Sequence, residues 1–276
     1  MTSISSSAAS LRARAIPPLL ETDPDTKATL TRAIDLSIPV GAGDHLVAEG
    51  RIPGRPDRPL LVPYTKLKKR SAATSAGRAV LLHALAHIEL NAIDLALDIV
   101  WRFPGLPDQF YREWTGVAQE EALHFQLLRD HLRSMGCEYG DFPAHNSLWE
   151  MAEKTQGDLL ARLALVPRTL EARGLDASPP VRAKLAAAGD HRAAEILDLI
   201  LRDEIGHVAL GNRWYRYLCT QRAHDPVAAY AELAVKYKAP TPRGPFNLEA
   251  RRRAGFADEE LALLQNPRSA VVAERQ

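Results

Sequence analysis

The sequence predicts an all-α protein built on four long helices, and three observations carry that expectation. Alanine and leucine dominate while β-branched and aromatic residues are sparse, aromatics making up only 6% of 276 residues, a bias toward strong helix formers. No stretch sustains the apolar–polar alternation of a half-buried strand. Finally, long helix-compatible segments alternate with turn signals that group them as two hairpins, the pattern of a four-helix bundle with wrapping segments at both ends.

The elements follow in order. Residues 1 to about 36 carry short helical patterns broken at Pro17-Pro18 and at Asp23 to Asp25, a peripheral helical arm. Residues 37 to 77 are rich in Pro, Gly and charge, as in Ile52-Pro53-Gly54-Arg55-Pro56, and read as an irregular segment wrapped on the surface. Together these make an N-terminal region over 1–76. The first long helix runs from about Gly77 to Phe103; its LLHALAHIELNAIDLALDIVWRF is apolar on more than one face, as expected of a helix buried inside a bundle. Pro104-Gly105-Leu106-Pro107 breaks it, Asp108 is a candidate N-cap, and the second helix continues to about Ser134-Met135, where Gly136 stops it. The third helix begins near Ser147 and carries Pro167 and Pro179-Pro180 as kinks or breaks. After the turn Ala188-Gly189-Asp190 the fourth runs from about His191 to Cys219, so the bundle spans 77–222. Residues 223–276 form a C-terminal extension that wraps around Pro240 to Pro245 and Phe246-Asn247 and ends in a polar helix near Asp258 to Leu264.

Composition narrows the function. With 46% apolar and 25% charged residues the chain can bury a large core. A net charge of +1 gives no global attraction to nucleic acid or an anionic membrane, and the basic runs Lys66 to Arg70 and Arg251 to Arg253 read as solvated surface. No unbroken apolar run of about 18 residues occurs, so no membrane span is expected. Met1 to Leu20 lacks the apolar core of a secretion signal, which makes the cytoplasm the expected compartment. Cys137 and Cys219 are far apart, have no partner at zinc-finger spacing and read as free thiols. The nicotinamide fingerprint GxGxxG is absent.

The chemistry is concentrated in two matching segments. Glu120-Glu121-Ala122-Leu123-His124 lies in the second helix and Asp203-Glu204-Ile205-Gly206-His207 in the fourth, each an acidic residue followed by E-x-x-H. Positions i and i+3 share a helix face, so Glu121 with His124 and Glu204 with His207 can each offer a carboxylate and an imidazole to one metal ion. That donor mixture suits iron or manganese, whereas zinc recruits more nitrogen or sulfur. Four-helix di-metal sites combine two such motifs with one Glu from each remaining helix. Glu89 fills one place, in an apolar stretch where a lone carboxylate would be costly unless paired or bound to metal. Glu171 fills the other: Glu89 precedes Glu121 by 32 positions and Glu171 precedes Glu204 by 33. Gly105 is 16 positions from both Glu89 and Glu121, and Ala188 is 17 from Glu171 and 16 from Glu204, so all four can meet in one layer if the third helix continues through Pro179-Pro180. Glu195 and Glu153 stay open as alternatives to Glu171, although Glu195 is turned about half a circle away from Glu204 on its own helix. Glu120 and Asp203 are expected to orient the histidine of the opposite half. Gly206 either leaves room beside the metal or allows close helix packing. His83, His87 and His191 read as core or surface histidines rather than ligands.

At these residues the chain resembles the ferritin-like superfamily, whose E, E-x-x-H, E, E-x-x-H order it reproduces. More closely, HALAHIELNAIDLALD, EEALHF, LEARGLD, DEIGHVALGNRW and PFNLEARRRAGF resemble the bacterial ferritin-like family catalogued as domain of unknown function 455, over roughly residues 50 to 260. The resemblance implies the bundle and the metal site without an established reaction. A more distant similarity is to the tRNA hydroxylase that acts on a methylthio-isopentenyl adenosine, whose comparable E-A-R segment implies Glu171 as the third-helix ligand. The acidic residue before each E-x-x-H is also similar to soluble acyl desaturases. The wrapping segments depart from ferritins proper, which argues against iron storage in a shell.

The function expected is that of a non-haem di-iron, or iron/manganese, carboxylate protein that uses O2 to oxidise or hydroxylate a small substrate, with electrons supplied by a donor protein or by the substrate. Competing readings are a tRNA-modifying hydroxylase, a non-catalytic metal-binding or peroxide-scavenging protein, and a metal-free structural bundle. A homodimer is compatible with the sequence.

Overall fold

The computed structural model of the protein describes residues 10–67 and 71–266. Among the described residues regular structure is helical, with no strand and one isolated bridge between Leu61 and Ala144. These residues fall into two compact units, one within Met1–Glu150 and Lys184–Ile196, the other within Met151–Ala183 and Leu197–Gln276.

The first unit contains α1 (Leu11–Arg14), α2 (Ile16–Leu20), α3 (Pro24–Arg32), α4 (Ser75–Arg102) and α5 (Asp108–Ser134). Pro17 and Pro18 do not interrupt the arm. They sit in the first turn of α2, where missing N–H groups cost nothing. The Thr74 side chain caps α4 by accepting from Gly77 N–H, and Phe103, in extended conformation, ends it. Gly105 takes a positive φ of 84° in the connection. Asp108 is the first residue of α5 rather than its N-cap, a position held by Pro107, and its carboxylate still favours the positive end of the helix. Helices α4 and α5 pack together as a hairpin, with α3 on α5 and α2 on α4. Although no unbroken apolar run marks it, α4 has the length and average composition of a membrane span; 72% of that window is buried inside the protein, as in a core helix.

The arm and the wrapping segment are tied to this hairpin by specific contacts. The buried Arg12 guanidinium donates to Val100 O (3.0 Å) and Trp101 O (2.6 Å), two of the carbonyls that the end of α4 leaves without intrahelical partners. Lys27 forms a buried ion pair with Asp94 of α4. Gly54 donates its N–H to Leu19 O at 2.8 Å, and any Cβ there would stand 2.0 Å from Leu20 O, so only glycine permits this approach.

Helices α6 (Ser147–Lys154), α8 (Ala172–Ala187) and α9 (His191–Gln221) contribute residues to both units, while α7 (Leu159–Leu165), α10 (Pro226–Lys236), α11 (Leu248–Arg253) and α12 (Asp258–Gln265) belong to the second. The third long helix expected from sequence is interrupted after Lys154 and restarts at Asp158, whose side chain accepts from Ala161 N–H. It then widens into a π-helical turn at Val166–Glu171 and continues as α8 through Pro179 and Pro180. Pro167 therefore marks a change of helix type, and the later prolines break nothing. Ala172 and Leu175 of α8, Val208 of α9, Ala250 of α11 and Ala254 form a buried cluster, joined by Leu201, Ile205 and Phe256.

One surface expectation is corrected. Arg251 is buried, not solvated: it pairs with Asp176 at 2.6 Å and donates to Ala172 O at 3.2 Å. A run of three arginines in a six-residue helix must turn one of them inward when its other face packs. Arg252 and Arg253 are exposed, and Lys68 to Arg70 of the other basic run lie outside the described residues.

Candidate metal centre

The α4–α5 hairpin brings Glu89, Glu121 and His124 together. Glu89 and Glu121 stand the same number of residues from Gly105, so folding the chain there sets them level, and the i, i+3 spacing puts His124 on the face of Glu121. All three are buried, at 4%, 2% and 0% exposure. His124 Nδ1 lies 3.3 Å from Glu89 Oε2 and 3.4 Å from Glu121 Oε2.

One donor atom from each of the three falls within 4.8 Å of the others. Donors across an ion held at about 2.1 Å stand about 4.2 Å apart, so this cluster has nearly the size that an iron- or manganese-sized ion requires. Burial alone would lower the His124 pKa, but hydrogen bonds and charge from Glu121 and Glu89 outweigh it and raise the value to about 11. Two carboxylates this close in the interior favour a positive charge beside them, which a proton on His124 or a bound cation can supply. A buried Glu/His cluster able to hold metal is present.

In the second unit, Glu204 and His207 of α9 are likewise buried, with His207 Nδ1 3.6 Å from Glu204 Oε1. Glu171, the last residue of the π turn, is half-buried. Both rivals are more exposed: Glu195 lies on the surface 3.3 Å from Arg192, and Glu153 is exposed on α6. Asp203 is half-buried and pairs with Arg202 at 2.8 Å, whereas Glu120 is exposed. Gly206 faces open space, so helix packing does not require it. The glycine that close packing does require is Gly211, where a Cβ would stand 2.6 Å from Pro167 Cβ.

The histidines set aside as non-ligands have other partners. His83 accepts from Gly140 N–H at 2.9 Å and stacks on Tyr139, while His87 Nδ1 meets the Tyr139 hydroxyl at 2.7 Å and its Nε2 meets His145 O at 3.0 Å. His191 is exposed. Sequence reasoning missed Arg168, which is 3% exposed within the π turn. The available signal was a cation inside the largely apolar LLARLALVPRTL, where burial calls for partners.

Comparison with known proteins bears on most of the chain. The family model described as "Protein of unknown function (DUF455)" matches residues 20–262. A Haemophilus influenzae protein described as "Uncharacterized protein" is 48% identical over 224 residues, covering 79% of this chain and 78% of that one. No solved structure matches.

Proposed function

We propose that this chain, which belongs to the DUF455 family, is a non-haem di-metal carboxylate protein, holding two irons or an iron/manganese pair and oxidising or hydroxylating a small substrate with O2. The ligands in this reading are Glu89, Glu121, His124, Glu171, Glu204 and His207, on a ferritin-like bundle formed by α4, α5, the α7–α8 run and α9.

The observation that carries it is the buried cluster of Glu89, Glu121 and His124, three side chains of the donor types that hold iron or manganese. Two further points support it. The third helix runs unbroken from Glu171 through Pro179-Pro180, as its spacing to Glu204 requires, and Glu153 and Glu195 are both exposed.

Such a metal pair, when bound and reduced, supplies the electrons that O2 takes up. The protein's own contribution is positional and electrostatic. Four carboxylates would offset the charge of the ions, His124 and His207 would supply one nitrogen each, and the burial of Glu89, Glu121 and His124 would keep water from their side of the pair. Glu120 and Asp203 are assigned to orienting the histidines, the half-buried Asp203 being the better shielded from solvent. An electron-donor protein or the substrate provides reducing equivalents, in a cytoplasmic protein that is monomeric or homodimeric. The tRNA-modifying alternative needs a basic face, and burial of Arg251 in an ion pair removes one cation from the runs that would form it.

Oxygen uptake by the iron-loaded, chemically reduced protein tests the reading. Consumption in proportion to bound iron, abolished in Glu121→Ala, is expected. An iron-loaded wild type inert to O2 would overturn the oxidase assignment and leave a metal-binding protein.

A further inference from the structure

The π turn that ends at Glu171 is held, residue by residue, by side chains of α9 that are not proposed ligands and by the C-terminal helices α10 and α12. A π turn inserts one residue into the helical ladder and so rotates everything after it by about 100°. The direction in which Glu171 leaves the helix depends on that insertion. An isolated chain gains nothing from it, because the wider turn has poorer geometry, so other contacts must stabilise it.

Three successive side chains provide them. Pro167 packs directly over Gly211 of α9, where a Cβ would stand 2.6 Å from Pro167 Cβ. Arg168 is buried among three rings, its guanidinium 4.1 Å from the centre of Tyr215, 5.4 Å from Tyr230 and 5.5 Å from Phe256. Its Nε donates to Asn212 Oδ1 and its Nη2 to Glu260 of α12. Thr169 Oγ1 donates to Ala164 O at 2.9 Å, five residues back, and lies 3.0 Å from the Tyr230 hydroxyl of α10.

The same C-terminal elements are fastened on either side of the turn. Glu260 also accepts from Arg216 at 2.7 Å, Asn212 donates to Ala254 O at 2.6 Å, and Arg251 is paired with Asp176 just beyond the turn. The segments LEARGLD, DEIGHVALGNRW and PFNLEARRRAGF thus meet in one network whose centre is the turn rather than a ligand.

We propose, building on the di-metal reading, that Arg168, Glu260 and Tyr230 are positioning residues: the C-terminal helices hold the π turn and thereby set the geometry of Glu171 toward the metal. In this account the extension after α9 is part of the metal centre's support and not a cover added to a self-sufficient bundle.

Cobalt(II) serves as the probe, because its visible absorption reports coordination geometry independently of turnover. The full-length wild type, Glu121→Ala, Glu171→Ala, Glu260→Gln, Glu260→Asp, Tyr230→Phe and Arg182→Ala are titrated with Co2+, and far-ultraviolet circular dichroism checks the fold. The expected result is that Glu260→Gln and Tyr230→Phe weaken cobalt binding about 10-fold and change the spectrum in the same sense as Glu171→Ala, with helix content intact. Glu260→Asp restores part of the affinity. Arg182→Ala, which breaks an exposed pair with Asp198, leaves binding unchanged.

Wild-type binding and spectra in Glu260→Gln and Tyr230→Phe, with Glu171→Ala altered, would overturn the positioning role while the metal centre stands. Glu171→Ala matching wild type while Glu121→Ala loses cobalt would overturn it too, since the turn would have no ligand to aim. A wild type that takes up no cobalt would bring down both readings. Should Glu260→Gln fail to fold, Tyr230→Phe decides, because it removes one hydroxyl and keeps the ring.

Discussion

At the scale of single residues, His83 illustrates how burial sets chemistry. Its Nε2 accepts from Gly140 N–H, and burial lowers its pKa to about 4, only partly opposed by Asp141. The folded protein keeps His83 neutral, whereas the unfolded chain takes up the proton near pH 6.5. The contribution of His83 to stability is therefore expected to fall as pH drops from about 6.5 toward 4, and His83→Gln, which retains an acceptor, should flatten that part of the curve in denaturant titrations, with buried His87, lowered to about 3, still adding to the slope. An unchanged slope would assign the acid sensitivity elsewhere. Gly206 and Gly211 give a second residue-scale contrast. Gly206→Ala places a methyl in open space and should stabilise the protein by up to about 1 kcal/mol. Gly211→Ala drives a methyl into Pro167 and should destabilise it by about 1–3 kcal/mol. Thermal melts of the pair check the opposite signs. The contact of Glu89 with His124 was legible beforehand, because equal distances from Gly105 translate into equal height once two helices fold back on one another. The burial of Arg251 was not, because a basic run looks the same whether a carboxylate waits beneath it or water does.

At the scale of elements, the α4–α5 hairpin and the proline-containing third helix differ in how plainly sequence announces them. Helix α4 was readable from its apolar length and from the Pro104-Gly105 break beyond it, whereas its Thr74 cap was not singled out. The stop after Lys154 and the π turn were not. Proline reports only a missing donor and a steric clash, so Pro167 could mean a kink, a stop or a widened turn, and the choice is made by Gly211, Arg168 and Thr169 contacts distant in sequence. Helix α11 owes its place to the same kind of contact. Arg251 and Asp176 are a buried pair, with side chains 2% and 10% exposed. Arg251→Ala should cost about 3–5 kcal/mol, against the ~0.5 kcal/mol of a solvated arginine, because it strands the carboxylate. A double-mutant cycle with Asp176→Ala separates their coupling from the loss of packing on Phe246 and Phe256, whose rings lie 5.4 and 5.3 Å from the guanidinium.

At the scale of the molecule, folding and metal binding are expected to be linked. Buried carboxylates repel one another and lose solvation, so ions that bind only the folded chain should raise its melting temperature. Addition of Fe2+ without oxygen is expected to stabilise wild type and to leave Glu121→Ala unmoved in calorimetry. The all-α class and the E-x-x-H pair were legible because helical periodicity and motif spacing are local. What the site acts on was not, because that depends on the shape left beside it. Metal content per chain, measured by elemental analysis of protein made in iron-supplemented cells, separates a di-metal protein from a metal-free bundle. About two irons, or one iron and one manganese, are expected in wild type, lost in both Glu121→Ala and Glu204→Ala. Little metal in wild type, or metal indifferent to both substitutions, would contradict the di-metal reading.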